Sequence, residues 1–196
     1  MSEPYRPVLT IHRSAQLLGG YRWIEHRLFE LTGAWAAQAP LPEVQLYLDE
    51  TSARHAWRAE LWADRLPVLD GLDPDALTVP FGPAVPPFFE ALAGEEVEGV
   101  VQRLAGLCRV VLPRLAVTYG THLARAVPVT DGPVIRVLRL ARRDVVESWL
   151  AGEDALERLL RRPHDAQVAA TAQGVLEGLV VAADVGAGLV LSLIHI

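Results

Sequence analysis

Apolar residues recur three and four positions apart through most of this chain, the spacing that lines one face of an α-helix and that does not fit a β-strand. Leu17, Tyr21, Ile24, Leu28, Leu31 and Trp35 follow it and predict a helix over about residues 14–37. Gly19 and Gly20 weaken its early turns, since glycine costs about 1 kcal/mol relative to alanine inside a helix. Val44, Leu48, Thr51, His55, Ala59, Trp62 and Leu66 predict a second helix over about 42–66, with Pro42 in its first turn, where proline is favoured. A third, over about 95–126, carries Val97, Val101, Leu104, Cys108, Val111, Leu115, Tyr119 and His122 on one stripe. Glu95 and Glu96 fit its first turn, and Pro113 is expected to kink it. A fourth, over about 131–161, has Thr130 or Asp131 as its cap and Val137, Leu138, Ala141, Val145, Ser148 and Leu156 inward, with a fifth over about 165–183. Strand-like alternation never lasts more than a few residues, and no short repeat is present.

One interruption is long. Residues 67–94 carry Pro67, Pro74, Pro80, Pro83, Pro86 and Pro87 with Asp-Gly and Phe-Gly turns, the composition of a connection. Extended, a segment of roughly 28 residues reaches about 90 Å, more than the roughly 40 Å of a 25-residue helix. It is long enough to return the chain along a whole bundle, with Phe81, Phe88 and Phe89 packing on the helices as it passes. The order is therefore helix, short loop, helix, long crossover, helix, short loop, helix. That order predicts an all-α up-down four-helix bundle with one long proline-rich crossover and an additional C-terminal helix, forming a single domain over residues 1–190.

Composition agrees with one globular domain: of 196 residues, 51% are hydrophobic and 21% charged. The net charge of -6 argues against nucleic acid as the main partner, because phosphate binding needs a basic surface. All 18 basic residues are arginine, as GC-rich coding would produce. The single cysteine, Cys108, excludes an internal disulfide framework and is expected to be an inert core thiol. The polar, proline-broken start has no secretory pattern, and Asp184 interrupts the apolar end before it reaches the length of a membrane span, so a cytoplasmic protein without membrane contact is expected. The last six residues, 191–196, resemble the translated end of a transposase sequencing adapter. They are expected to be non-native, which removes His195 from any site.

Over about residues 14–161 the chain resembles the ferritin-like superfamily, through its helix order and a few polar residues at inward positions: Glu25 in the apolar arc of the first helix, His55 at the centre of the second stripe, Tyr119 and His122 on the third, and Asp144 on the flank of the fourth. The resemblance implies an inward-facing carboxylate and histidine site and metal-dependent oxidase or hydroxylase chemistry. In such bundles two helices each give a Glu and two give a Glu-x-x-His, because positions three apart share a face. Here Ser52 stands three before His55, and the fourth helix has Val145 three before Ser148, so neither Glu-x-x-His is present. The ligand set it implies is Glu25, His55, His122 and Asp144, with Tyr119, Thr51 and Trp62 lining the pocket. Iron, manganese or zinc would suit nitrogen and oxygen ligands of this kind.

The competing reading is that His55 and His122 are core histidines hydrogen-bonded to Glu25, Asp144, Tyr119 or Thr51, that no metal binds, and that the bundle is a non-catalytic binding or assembly protein. No glycine-flanked serine elbow, phosphate loop or dinucleotide fingerprint is present. A small-molecule substrate is not indicated by any motif. The arginines of the fourth helix, Arg136, Arg139, Arg142 and Arg143, with Arg161 and Arg162, form a strip expected to be solvated or salt-bridged. Aromatic residues of the crossover are the expected contact if the chain forms a homodimer.

Overall fold

The structure is a computed structural model and describes residues 9–68, 71 and 73–187, so the tail at 191–196 lies outside the described residues. Every regular element among the described residues is a helix, with no strand. The first helix, α1 (Ile11–Ala36), starts a turn earlier than its apolar stripe suggests. Thr10 causes this: its hydroxyl accepts the Arg13 amide N–H at 3.2 Å and caps the helix. Next comes α2 (Pro42–Ala63), with Pro42 and Glu43 in its first turn. It runs antiparallel to α1, as the contacts of Glu25 with His55 and of the Phe29 carbonyl with Ser52 require. All of Val44, Leu48, Thr51, His55, Ala59, Trp62 and Leu66 are buried.

The crossover is more structured than its prolines suggest, for it contains two helices, α3 (Pro74–Leu77) and α4 (Val85–Ala93). Each opens on prolines in its first turn, where the missing N–H costs nothing. Asp73 caps α3 by accepting the Asp75 N–H at 3.0 Å. From α4, Val85, Phe88, Phe89 and Leu92 go into the core. Phe89 meets Trp23 edge-on with ring centres 5.5 Å apart. Because Phe88 and Phe89 are buried and Phe81 is packed on Tyr21, the crossover aromatics are not an exposed dimer contact.

Gly19 and Gly20 are explained here. A Cβ on Gly19 would stand 2.0 Å from the Leu77 carbonyl oxygen, and one on Gly20 would stand 2.1 Å from the Phe81 ring. The two glycines give α1 a flat face on which the crossover lies, held by Arg22 donating to Asp75 at 3.2 Å and to Thr78 at 3.0 Å.

The third predicted helix begins later than expected and changes pitch. Glu95–Val97 is a short 3-10 turn, and α5 (Val100–Ala105) starts after Gly99, so Glu95 and Glu96 are not in its first turn. A π-helical turn, Gly106–Val111, joins α5 to α6 (Leu112–Arg125), with the Leu112 N–H donating to the Leu107 carbonyl. Pro113 has no N–H and its ring crowds the carbonyl four residues back, which is Arg109 within the wide turn. The following helix, α7 (Pro128–Leu159), begins at Pro128, earlier than expected, and Asp131 accepts the Val127 N–H at 2.8 Å. Pro133 therefore lies inside the helix. The last, α8 (Pro163–Ala187), lies on α4, α5 and the π turn through Ala169, Leu176 and Val180. Arg114 pairs with Glu177 to tie α6 to it, and Arg109 pairs with Glu153 at 3.3 Å to tie the π turn to α7. None of the described helices is long and apolar enough to cross a membrane.

Candidate functional site

The strongest concentration of chemistry lies inside the helices. Glu25 on α1, His55 and Arg58 on α2, and Tyr119 on α6 are all fully buried and in mutual contact. On α2, Thr51, His55, Arg58 and Trp62 are spaced by four, three and four residues and so share one face. Glu25 receives three donors: the Arg58 Nε–H at 2.8 Å and the Tyr119 hydroxyl at 2.6 Å on Oε1, and the His55 Nδ1–H at 2.5 Å on Oε2. The Trp62 indole N–H donates to the Tyr119 oxygen at 3.2 Å, so that hydroxyl both accepts and donates.

The charges follow from this geometry. Burial alone would raise the Glu25 pKa, but the Arg58 charge, the His55 ring and their hydrogen bonds bring it down to about 2. Burial and the neighbouring Arg58 charge lower that of His55, against the pull of Glu25, so the imidazole is neutral. Burial alone would lower the Arg58 pKa, and the Glu25 charge and hydrogen bond raise it. The cluster is thus one carboxylate and one guanidinium, with no net charge. An ionised carboxylate only accepts, so the single ring proton of His55 sits on Nδ1. Arg58 Nη2, 2.7 Å from the same nitrogen, cannot also donate there. His55 Nε2 then carries a bare lone pair, and it and Arg58 Nη1 are buried with no hydrogen-bond partner.

Around the cluster lies an aromatic shell. The Tyr21 ring centre is 5.0 Å from Tyr119, 5.1 Å from Trp62, 5.4 Å from Phe81 and 5.8 Å from His122. His122 pairs with the Tyr21 hydroxyl through Nδ1 at 3.2 Å. Burial lowers the His122 pKa, partly opposed by Asp131, and burial raises those of Tyr21 and Tyr119, so these groups are neutral.

Of the four ligands implied by the resemblance, Glu25 and His55 come together. His122 is turned to Tyr21. Asp144 is partly buried on α7 and lies in the field of Arg58 and Arg54, yet has no hydrogen bond or ion pair among the described residues; burial raises its pKa. Tyr119 and Trp62 hydrogen-bond within the cluster, whereas Thr51 is buried and interacts with Tyr47. Both oxygens of Glu25 are engaged by protein donors, and a guanidinium stands against the imidazole. This donor set does not suit a metal centre: among the described residues, no three His, Cys, Asp or Glu side chains group so as to hold an ion.

Arg58 is the residue that sequence reasoning overlooks. It is three residues from His55 and seven from Thr51, on the same stripe, and that position was the available signal. A long cation reads as solvent-facing, because fully buried arginines are rare unless paired. Elsewhere, Cys108 on the π turn lies 3.6 Å from the Tyr47 hydroxyl, which donates to the Ser148 carbonyl at 3.1 Å. Burial pushes the Cys108 thiol up to about 12, the state of an unreactive core cysteine. Compared with known protein families, curated proteins and solved structures, the chain finds no match.

Proposed function

We propose that the protein is a ferritin-like up-down bundle in which Arg58 supplies the interior positive charge that metal ions supply in that superfamily, and that it acts as a non-catalytic binding or assembly module. The observation that carries this reading is the guanidinium of Arg58, fully buried with its Nε 2.8 Å from Glu25. A guanidinium keeps its proton in proteins. A divalent ion 4 Å from it would meet about 8 kcal/mol of repulsion at an effective dielectric constant near 20. The carboxylate that would hold such an ion already has three donors. The neutral His55 with a free Nε2 favours the other reading, a metal-dependent oxidase or hydroxylase, since a carboxylate-oriented imidazole is the usual metal ligand.

Elemental analysis separates the two. Wild-type protein incubated with iron(II), manganese(II) or zinc(II) and then desalted is expected to hold no more metal than the His55→Ala variant. Near-stoichiometric metal in the wild type that disappears in His55→Ala overturns the proposal in favour of the oxidase reading.

A further inference from the structure

We propose that the seam between α2 and α7 holds one structural water molecule, bound between the buried guanidinium of Arg58 and the carboxylate of Asp144, and that Asp144 is the residue that positions it. The site goes beyond the binding or assembly reading and does not depend on it. The register of the two helices sets the facing pair. The Tyr47 hydroxyl donates to the Ser148 carbonyl at 3.1 Å and comes up against Gly152, while Arg54 Nη1 donates to the Ser148 hydroxyl at 3.4 Å. Moving forward along α2 is therefore moving back along α7, so the helices are antiparallel. One turn beyond Arg54 is Arg58, and one turn before Ser148 is Asp144, which places these two across the seam from each other.

Each side of the pair has an unmet bond. Arg58 is fully buried, with Nε engaged by Glu25 and Nη2 against His55, and its Nη1 has no hydrogen-bond partner among the described residues. A buried N–H on a charged group is seldom left without an acceptor. Asp144 is partly exposed and has no hydrogen bond or ion pair among the described residues, so its carboxylate is an acceptor with free capacity. Burial raises its pKa, and the charge that most opposes this is that of Arg58, ahead of Arg54. Asp144 is thus near enough to feel the guanidinium and too far to pair with it. Two hydrogen bonds of about 2.8 Å through one oxygen span about 5 Å, the separation at which direct pairing has ended and the charge is still strongly felt.

Bonding capacity chooses the occupant. A molecule in this position must accept from Arg58 Nη1–H and donate to a carboxylate. A fully ionised anion accepts but has no proton for Asp144 and is repelled by it. A cation donates but cannot accept from the guanidinium. A neutral hydroxyl does both, and water is the smallest molecule that carries one, as a seam between two packed helices requires. The partly exposed edge at Asp144 gives it a way in from solvent. With Arg54 and Ser148 one turn away, the water completes a second polar rung tying α7 to α2.

The test is a set of crystal structures of the full chain, at a resolution that shows ordered water, for the wild type, Asp144→Asn and Asp144→Leu. Circular dichroism checks that each variant is helical. The wild type is expected to hold one ordered water within hydrogen-bond distance of both Arg58 Nη1 and the Asp144 carboxylate. Asp144→Asn is expected to keep it, because the amide oxygen still accepts, and Asp144→Leu to lose it. Nuclear magnetic resonance on protein labelled with 15N-arginine repeats the comparison in solution. Cross-relaxation between the Arg58 guanidinium protons and long-lived water is expected in the wild type and Asp144→Asn, and its loss in Asp144→Leu. A direct ion pair between Arg58 and Asp144 in the wild type overturns the proposal, as does a wild type with no water there. A water that stays in place in Asp144→Leu also overturns it, because Asp144 then does not position it. The wild-type result alone can refute the proposal, so it stays testable if a variant fails to fold.

Discussion

Removing either charge from the Glu25 and Arg58 pair is expected to damage the fold far more than removing both. The two groups are fully buried, 2.8 Å apart, and balance each other's charge. Leaving one buried charge without its partner costs about 3–5 kcal/mol, whereas replacing both by neutral groups of similar volume is often close to neutral. In a chain of this size that single-variant loss lowers Tm by roughly 8–15 °C. The two single variants differ in one respect. Glu25→Gln strands Arg58, which cannot shed its proton, and takes from His55 the carboxylate that raises its pKa, so its loss does not shrink on acidification. Arg58→Met strands Glu25, whose carboxyl can take up a proton once its cation is gone, so the loss shrinks on acidification. Urea unfolding followed by circular dichroism at pH 5 and pH 7.5, on the two single variants and the double variant, completes the cycle. Coupling of about 2 kcal/mol or more at pH 7.5 is expected. Additive losses within about 0.5 kcal/mol would refute the claim that the pair acts as a unit.

Acid is expected to destabilise the protein in two stages. His55 and His122 have lowered folded pKa values, so the unfolded chain binds more protons below about 6.5 and stability starts to fall there. Glu25 then contributes as pH drops from 4.5 towards 2, a loss of about 3 kcal/mol at 1.36 kcal/mol per pKa unit. A flat stability profile between pH 7 and pH 4 would contradict the histidine assignments, and a flat one from pH 4.5 to pH 2 that of Glu25. Gly19→Ala should lower Tm even though alanine favours helix by about 1 kcal/mol, because its Cβ meets the Leu77 backbone. Gly174→Ala, in open space on α8, should raise it. Cys108 should resist a thiol reagent in the native protein and react stoichiometrically in denaturant; rapid native labelling would show that the packing of Tyr47 and Gly152 around it is wrong.

Much of the helical framework is legible in the sequence because burial imposes a spacing. The α2 stripe from Val44 to Leu66 and the α7 face from Val137 to Leu156 follow directly from it. The crossover is less legible, since Pro74, Pro86 and Pro87 break a helix from within but open one from its first turn. Gly19 and Gly20 show a second limit. Propensity records what a glycine costs its own helix, while the benefit lies in a segment about sixty residues away in sequence. Glu25, His55, Tyr119 and Trp62 are marked by polar groups on apolar faces. Arg58 is not, because its neutralising partner belongs to another helix and no local pattern announces that the two will meet.

The π turn at Gly106–Val111 gives the chain a phase as well as a path. It holds one residue more than an α-helical stretch of the same length, and each α-helical residue advances the face by about 100°. Because the wide turn absorbs that extra residue, the stretch from Leu104 to Tyr119 turns as an α-helix one residue shorter would, and the two buried side chains stay about 40° apart on the inward face. Deleting one residue from the turn would let α5 and α6 run on as a single regular helix with that facing kept, whereas a regular helix holding every residue would turn Tyr119 by about 100° from its present direction. The polar centre of this fold is held in phase by a change of pitch as well as by its side chains.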